Sequence, residues 1–258
     1  MIEQAPLVLQ VSGAIAVLMW LVAFSFSVYP ALRMEGTAAH LGVVTLLTRI
    51  GLLIGTVGWG SYVTLIWPQL PWRVASLPPV ALVALAVHTI LARRISKELL
   101  SLCWYACAVV AYGAALASLG AGDVREVSDI PSALPWVAIR EVAAVVAAGA
   151  LLTYGAALLI KRYLTQTSDA SRAEHLSDGA MRVALWGTTV ALAAAAWRAW
   201  SVWGEVARAD VAALFIAWAF VMAASLWQMI TGMAMTRMVH GLALAAWVLL
   251  SVMLVVIA

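Results

Sequence analysis

Charge is what this chain has least of. Asp, Glu, Lys and Arg make up only 10% of its 258 residues, hydrophobic types make up 65%, and the mean hydropathy is +1.01. A soluble domain carries about 25% charged and about 45–50% apolar residues. The polar surface needed by a cytosolic enzyme, a nucleic-acid reader or a disordered tail is therefore missing. Cysteine is scarce as well: Cys103 and Cys107 are the 2 present. Their i, i+4 spacing within an apolar run is not a C-x-x-C redox or zinc pattern and reads as buried structural thiols. There is no Walker loop, no G-x-G-x-x-G after a strand, no H-E-x-x-H and no nucleophile elbow. Neither solenoid-period nor inverted repeats stand out. No basic residue precedes the first apolar run, which follows Glu3; a cleaved signal peptide is not expected, and the N-terminus reads as translocated.

What the chain does have is long apolar runs. A membrane-crossing helix needs about 20 residues, and eight runs approach that length, at about 7–29, 41–67, 74–92, 98–119, 136–160, 180–203, 210–229 and 237–257. The breaks fall at Pro30 to Gly36, Pro68 to Arg73, Arg93 to Lys97, Gly120 to Pro135, Lys161 to Asp178, Gly204 to Asp210 and Thr231 to Thr236. The expected fold is an all-α, polytopic integral membrane helix bundle of about eight transmembrane helices. It forms a single transmembrane domain over residues 1–258.

The basic residues orient the bundle. Arg33, Arg93, Arg94, Lys97, Lys161, Arg162, Arg172, Arg182 and Arg237 fall in one set of alternate loops, and Arg73, Arg125 and Arg208 in the other. The positive-inside rule puts the richer set in the cytoplasm and both termini outside. A net charge of +3 and a pI near 9.1 thus serve topology, and no nucleic-acid partner is implied.

Three arginines remain inside the runs: Arg49, Arg140 and Arg198. A charge at mid-bilayer costs at least about 2.5–3.5 kcal/mol on insertion scales. Arg140 and Arg198 lie near the outer ends of their spans, where a long side chain can snorkel to the interface. Glu141 follows Arg140, but adjacent helical positions diverge by about 100° and need not pair. Arg49, about two turns in from the cytoplasmic side, must pair, reach headgroups or face a polar cavity.

The 13 tryptophans are weighted to one side. Trp67, Trp72, Trp136, Trp197, Trp200 and Trp203 fall at the outer boundary, with Trp59 and Trp218 deeper in the outer half. Two readings stay open, an interfacial belt and an aromatic platform for a flat apolar ligand. Of the histidines, His175 falls in a charged loop and His40 at a span edge, while His88 and His240 lie within spans at similar depth. The last two read as interfacial imidazoles bonded to neighbours, or as ligands for a heme iron or quinone headgroup. Gly51-x-x-x-Gly55 with Gly58 and Gly60 is a close-packing signal.

The segment Ala196–Trp227 reads, after its first alanine, WRAWSVWGEVARADVAALFIAWAFVMAASLW. It resembles the tryptophan-rich signature of the cytochrome c assembly family of heme-handling membrane proteins, W-a-x-x-x-W-G-x-x-W-x-W-D-P-K-E followed by a helix with a central Trp. Trp197 and Trp203-Gly204 match its first half, Asp210 stands for its aspartate, and Trp218 matches the following helix. Upstream, Pro135–Arg140 with Gly149, Tyr154-Gly155 and Lys161–Leu164 is similar to the family helix that opens W-x-x-I-H-V. Leu46–Tyr62 with Ser76 and Arg93-Arg94 is similar to its early helix pair and basic loop. The resemblance covers most of the chain and implies heme as cofactor.

The family's ligand histidines are not matched. Arg140 occupies the histidine position of W-x-x-I-H-V, the early-helix histidine falls near Thr48 or Arg49, and the later one near Leu226 or Trp227. Val206–Asp210 replaces the second half of the signature. The resemblance therefore leaves two expectations. In one, the protein handles heme on a face formed by Trp197, Trp200, Trp203, Gly204 and Trp218, with Arg140 or Arg198 pairing a propionate and His88 and His240 as a different candidate site. In the other, it is a non-catalytic accessory subunit of a respiratory or photosynthetic redox complex. Partners would be membrane lipid and other membrane subunits or a c-type cytochrome, in a bacterial inner membrane. A transporter would need broken helices or a midplane polar site; Arg49 is the one deep charge, without an acidic partner at its depth.

Overall fold

A computed structural model describes residues 5–33, 38–66, 72–91, 98–120, 134–163, 167–206, 208–231 and 236–255. Among them are eight helices and no strand: α1 (Ala5–Arg33), α2 (Ala38–Ile66), α3 (Trp72–Leu91), α4 (Glu98–Gly120), α5 (Leu134–Tyr163), α6 (Thr167–Trp203), α7 (Ala209–Thr231) and α8 (Arg237–Val255). Arg93, Arg94, Lys97, Arg125 and Trp67 lie outside the described residues.

Seven of these helices, all but α3, are long and apolar enough to cross a membrane, which makes the protein a polytopic membrane helix bundle. The eight expected helices are all present. The third helix, Trp72–Leu91, is 20 residues long, about 30 Å at 1.5 Å per residue. The sixth helix differs most from expectation, since it starts at Thr167 rather than near 180. Hydropathy marks where a helix leaves the bilayer, not where it ends. Ala173, Leu176, Ser177, Ala180, Met181 and Ala184 form one buried stripe at helical spacing through the polar stretch. His175, expected in a loop, is an exposed residue of this helix.

The helices group into two compact units, α1–α4 and α5–α8, with the boundary between Leu134 and Pro135. The first unit is built on α2, whose buried face is Thr48, Gly51, Gly55, Gly58 and Tyr62. Trp20 of α1, fully buried, lies on this strip. A Cβ at Gly51 would stand 2.5 Å from the Trp20 Nε1, so only glycine admits the indole there. Tyr112 of α4 meets Trp20 edge-on, with ring centroids 5.5 Å apart. It also donates its hydroxyl to the Gly55 carbonyl at 2.9 Å.

The third helix contains Pro78 and Pro79. Pro78 has no N–H, so the carbonyl of Val74, four residues back, loses its helical donor. Trp59 of α2 supplies one, its indole N–H reaching Val74 O at 2.8 Å. In a membrane a freed carbonyl needs such a partner, and here it comes from a neighbouring helix.

In the second unit α5 is lined with small buried residues, among them Ala144, Ala147, Ala148 and Ala150. The seventh helix buries Val211, Leu214, Ala217, Val221 and Ala224, and α8 buries Val239, Ala243, Ala246 and Leu250. Both series step by three or four residues, one apolar stripe per helix.

Candidate functional site

The polar residues of the second unit gather where α5 begins, α6 ends and α7 begins. The sixth helix stops at Trp203 because Gly204 takes φ 69°, the left-handed conformation that favours glycine. Its N–H bonds back to Trp200 O at 3.0 Å, an αL cap. The chain turns at once: Arg208 N–H donates to Val206 O at 2.9 Å, and Arg208 O accepts from Ala212 N–H at 2.9 Å, which opens α7. The turn puts Asp210 in the first turn of α7, where the helix dipole favours an anion.

Asp210 meets Arg140 of α5, Nη1 to Oδ2 at 3.1 Å, and the Arg140 Nη2 stands 3.5 Å from Glu141 Oε1. All three are buried, with Arg140 at 1% exposure, Glu141 at 2% and Asp210 at 5%. Arg140 therefore does not snorkel, and it pairs with the adjacent Glu141 as well as with Asp210. Seventy residues separate it from Asp210, a pairing that only the folded unit creates. Glu141 pairs although it is the next residue, because two long side chains reach around the 100° between their Cα–Cβ vectors. Both hold charge where unpaired burial would be severe.

From Asp210 the network runs outward. Arg208 Nε lies 3.6 Å from Asp210 Oδ1, and the Arg208 guanidinium carbon sits 3.8 Å from the centroid of Trp203. Arg198, half-buried, brings its own guanidinium to 4.9 Å from the same ring. Around this doubly approached indole the surface is aromatic. Trp197, Trp200 and Trp203 are 56%, 63% and 41% exposed. Trp136 of α5 lies against Trp197 with centroids 5.9 Å apart and planes inclined at 48°. Five of the expected site residues (Trp197, Trp200, Trp203, Gly204 and Arg198) thus form one rim, and Arg140 lies buried, tied to the rim through Asp210 and Arg208.

Trp218 and His240 stand elsewhere in this unit. Trp218 is part-buried further along α7 and donates its indole N–H to Thr189 Oγ1 at 3.1 Å, joining α7 to α6. His240, at the start of α8, bonds through Nδ1 with the Tyr154 hydroxyl at 2.9 Å. Tyr154 is about 21 Å along α5 from Arg140. His88 belongs to the first unit, edge-on to Tyr105 with centroids 5.1 Å apart. Tyr105 in turn bonds Thr48 at 2.8 Å. Arg49 is exposed on α2.

Asp210, Glu141 and Arg208 complete the cluster and were not among the expected site residues. Part of the signal was available: an in-span arginine needs a carboxylate, and Glu141, Glu205 and Asp210 are acids close to that boundary in the sequence. No group of three or more His, Cys, Asp or Glu placed to hold a metal ion occurs among the described residues. No protein-family model, curated protein or solved structure matches the chain.

Proposed function

We propose that this is a heme-handling protein of the cytochrome c assembly kind, seated in a bacterial inner membrane with the tryptophan rim at the outer leaflet. The observation that carries this reading is the rim itself, exposed indoles with the Arg198 and Arg208 guanidiniums drawn over Trp203. A porphyrin is a flat apolar plate with two carboxylates on one edge. Indole faces suit the plate, and two arginines suit the carboxylates, each through charge-assisted, two-pronged hydrogen bonds. Arg140 is not one of the pair in this reading, because its guanidinium is engaged by Asp210 and Glu141.

The rim fits the porphyrin and not the iron. His240 is held by Tyr154, about 21 Å along α5 from Arg140. The reading therefore rests on the ring and its carboxylates, with axial ligation left to a partner such as a c-type cytochrome. The test is tryptophan-fluorescence quenching of the full chain in mild detergent, titrated with hemin and with iron-free protoporphyrin. Both should quench with similar affinity, and Arg198→Glu with Arg208→Glu should abolish the effect. No quenching by either, or quenching by hemin alone, would refute it.

A second reading, an accessory subunit of a membrane redox complex, is supported by the short α6–α7 connection and the internally neutralised Arg140. It expects co-purification with larger subunits in fixed stoichiometry and little effect of Trp203→Ala on the activity of the complex.

A further inference from the structure

Arg208 is fixed at its backbone and unspent at its side chain. Its N–H donates to Val206 O and its carbonyl accepts from Ala212 N–H, each at 2.9 Å, so the turn sets where the side chain starts. The guanidinium carbon lies 3.8 Å from the centroid of the Trp203 ring, a distance that places it over the face and not at the edge. No hydrogen bond joins the guanidinium to a described residue. Its Nε is buried and unpartnered, and Asp210 Oδ1 stands 3.6 Å away, beyond hydrogen-bond reach.

Asp210 divides its two oxygens. Oδ2 accepts from Arg140 Nη1 at 3.1 Å, which anchors the carboxylate at 5% exposure in the first turn of α7. Oδ1 is left buried without a hydrogen bond, beside Arg208. Among the described residues Asp210 is the one carboxylate paired with Arg208. Glu141 is engaged by Arg140, and Glu205, exposed in the turn, pairs with no described residue. A charge at 3.6 Å attracts a guanidinium without occupying its N–H groups. Arg140 is the contrast, since two carboxylates take up its fork. Arg208, drawn in by Asp210 and braced on Trp203, keeps its donors free of described partners, on a side chain that is 39% exposed.

We propose that Asp210 is a positioning residue of the rim. It holds Arg208 over Trp203 with the guanidinium fork open, and so sets a preference for porphyrins with free carboxylates over porphyrins whose carboxylates are esterified. The inference rests on the porphyrin reading and deepens it. A free carboxylate meets the fork with two charge-assisted hydrogen bonds, whereas an ester offers a neutral carbonyl oxygen and no charge.

The experiment titrates the full chain in mild detergent with protoporphyrin and with its dimethyl ester, read by tryptophan-fluorescence quenching. The unaltered chain should prefer the free acid by about a hundredfold. Arg208→Gln and Asp210→Asn should each cut that preference about tenfold, and the double variant should cut it no further. A merely structural Asp210 would weaken both ligands together and leave their ratio alone. The second readout needs no porphyrin: in chain labelled with 5-fluorotryptophan, the fluorine resonance lost in Trp203→Phe should shift in Asp210→Asn as it does in Arg208→Gln. If Asp210→Asn is not monodisperse, Asp210→Glu takes its place, since it keeps a partner for Arg140 and displaces the oxygen that faces Arg208. An unchanged ratio in the Asp210 variant, additive losses in the double variant, or a Trp203 resonance that only Arg208→Gln moves would overturn this proposal and leave the porphyrin reading standing. Absence of quenching by both ligands would overturn the two together.

Discussion

Removing Arg140 should be the most damaging single change in the second unit, for an electrostatic reason. Its guanidinium is 3.1 Å from Asp210 and 3.5 Å from Glu141, and all three groups are buried. With charge centres near 4 Å, one such pair is worth about 4 kcal/mol at an effective dielectric of 20. Much of that only offsets the cost of desolvating the ions, so the pair is no large net gain over neutral residues of the same shape. Deleting Arg140 is different, because it takes their shared buried cation from two buried carboxylates, and the Arg208 that remains near Asp210 is partly exposed. Arg140→Met is expected to cost about 3–5 kcal/mol, roughly 10 °C in midpoint for a chain of this size. The assay is the fraction of detergent-solubilised protein that stays monodisperse on size exclusion after heating. Adding Asp210→Asn and Glu141→Gln to Arg140→Met should recover most of the loss, since no unpaired charge then remains. Arg140→Lys should also lose stability, because an ammonium cannot reach both carboxylates with the arginine fork. A snorkelling arginine would tolerate lysine. If Arg140→Met shifts the midpoint by less than about 2 °C, or if the triple variant is no more stable than Arg140→Met, the argument fails.

Two further outcomes follow from the first unit and one from the rim. Trp59→Phe should cost about 1–3 kcal/mol by leaving Val74 O without its donor; in a Pro78→Ala background the helical N–H returns and the cost should at least halve, read by the same heating assay on the four variants. Gly51→Ala should destabilise by about 1–3 kcal/mol, because the new Cβ would stand 2.5 Å from the Trp20 indole nitrogen; Trp20→Phe, with a smaller ring, should lessen the penalty. Trp203→Ala should weaken quenching by protoporphyrin about tenfold or more by removing the ring that both guanidiniums share, while Trp218→Phe, away from the rim, should leave the titration unchanged.

Much of the architecture was legible because the bilayer imposes it. A scarcity of charge and runs near 20 apolar residues lead to membrane helices without any tertiary information, and every helix but α6 begins and ends within four residues of the expected positions. The start of α6 was illegible to hydropathy, since helix continuity through residues 167–180 depends on the packing of a stripe that composition averages away. Arg140 shows the other limit. Its chain neighbours identify it as a charge near a span end, and that description fits a snorkelling residue as well as a buried one. Which it is depends on a carboxylate 70 residues away, brought to 3.1 Å by the turn at Gly204 and the start of α7.

The tryptophans divide in the same way. Their weighting toward one boundary was readable in the order of residues. Only the folded unit separates Trp203, exposed beneath two guanidiniums, from Trp218, whose N–H joins two helices. Small charged fraction and long apolar runs are properties of the chain alone, and they determine that it is a membrane helix bundle. Which of its few polar groups neutralise one another and which remain outside is decided by distances between helices, because Coulomb and hydrogen-bond energies depend on separation in space and not along the sequence.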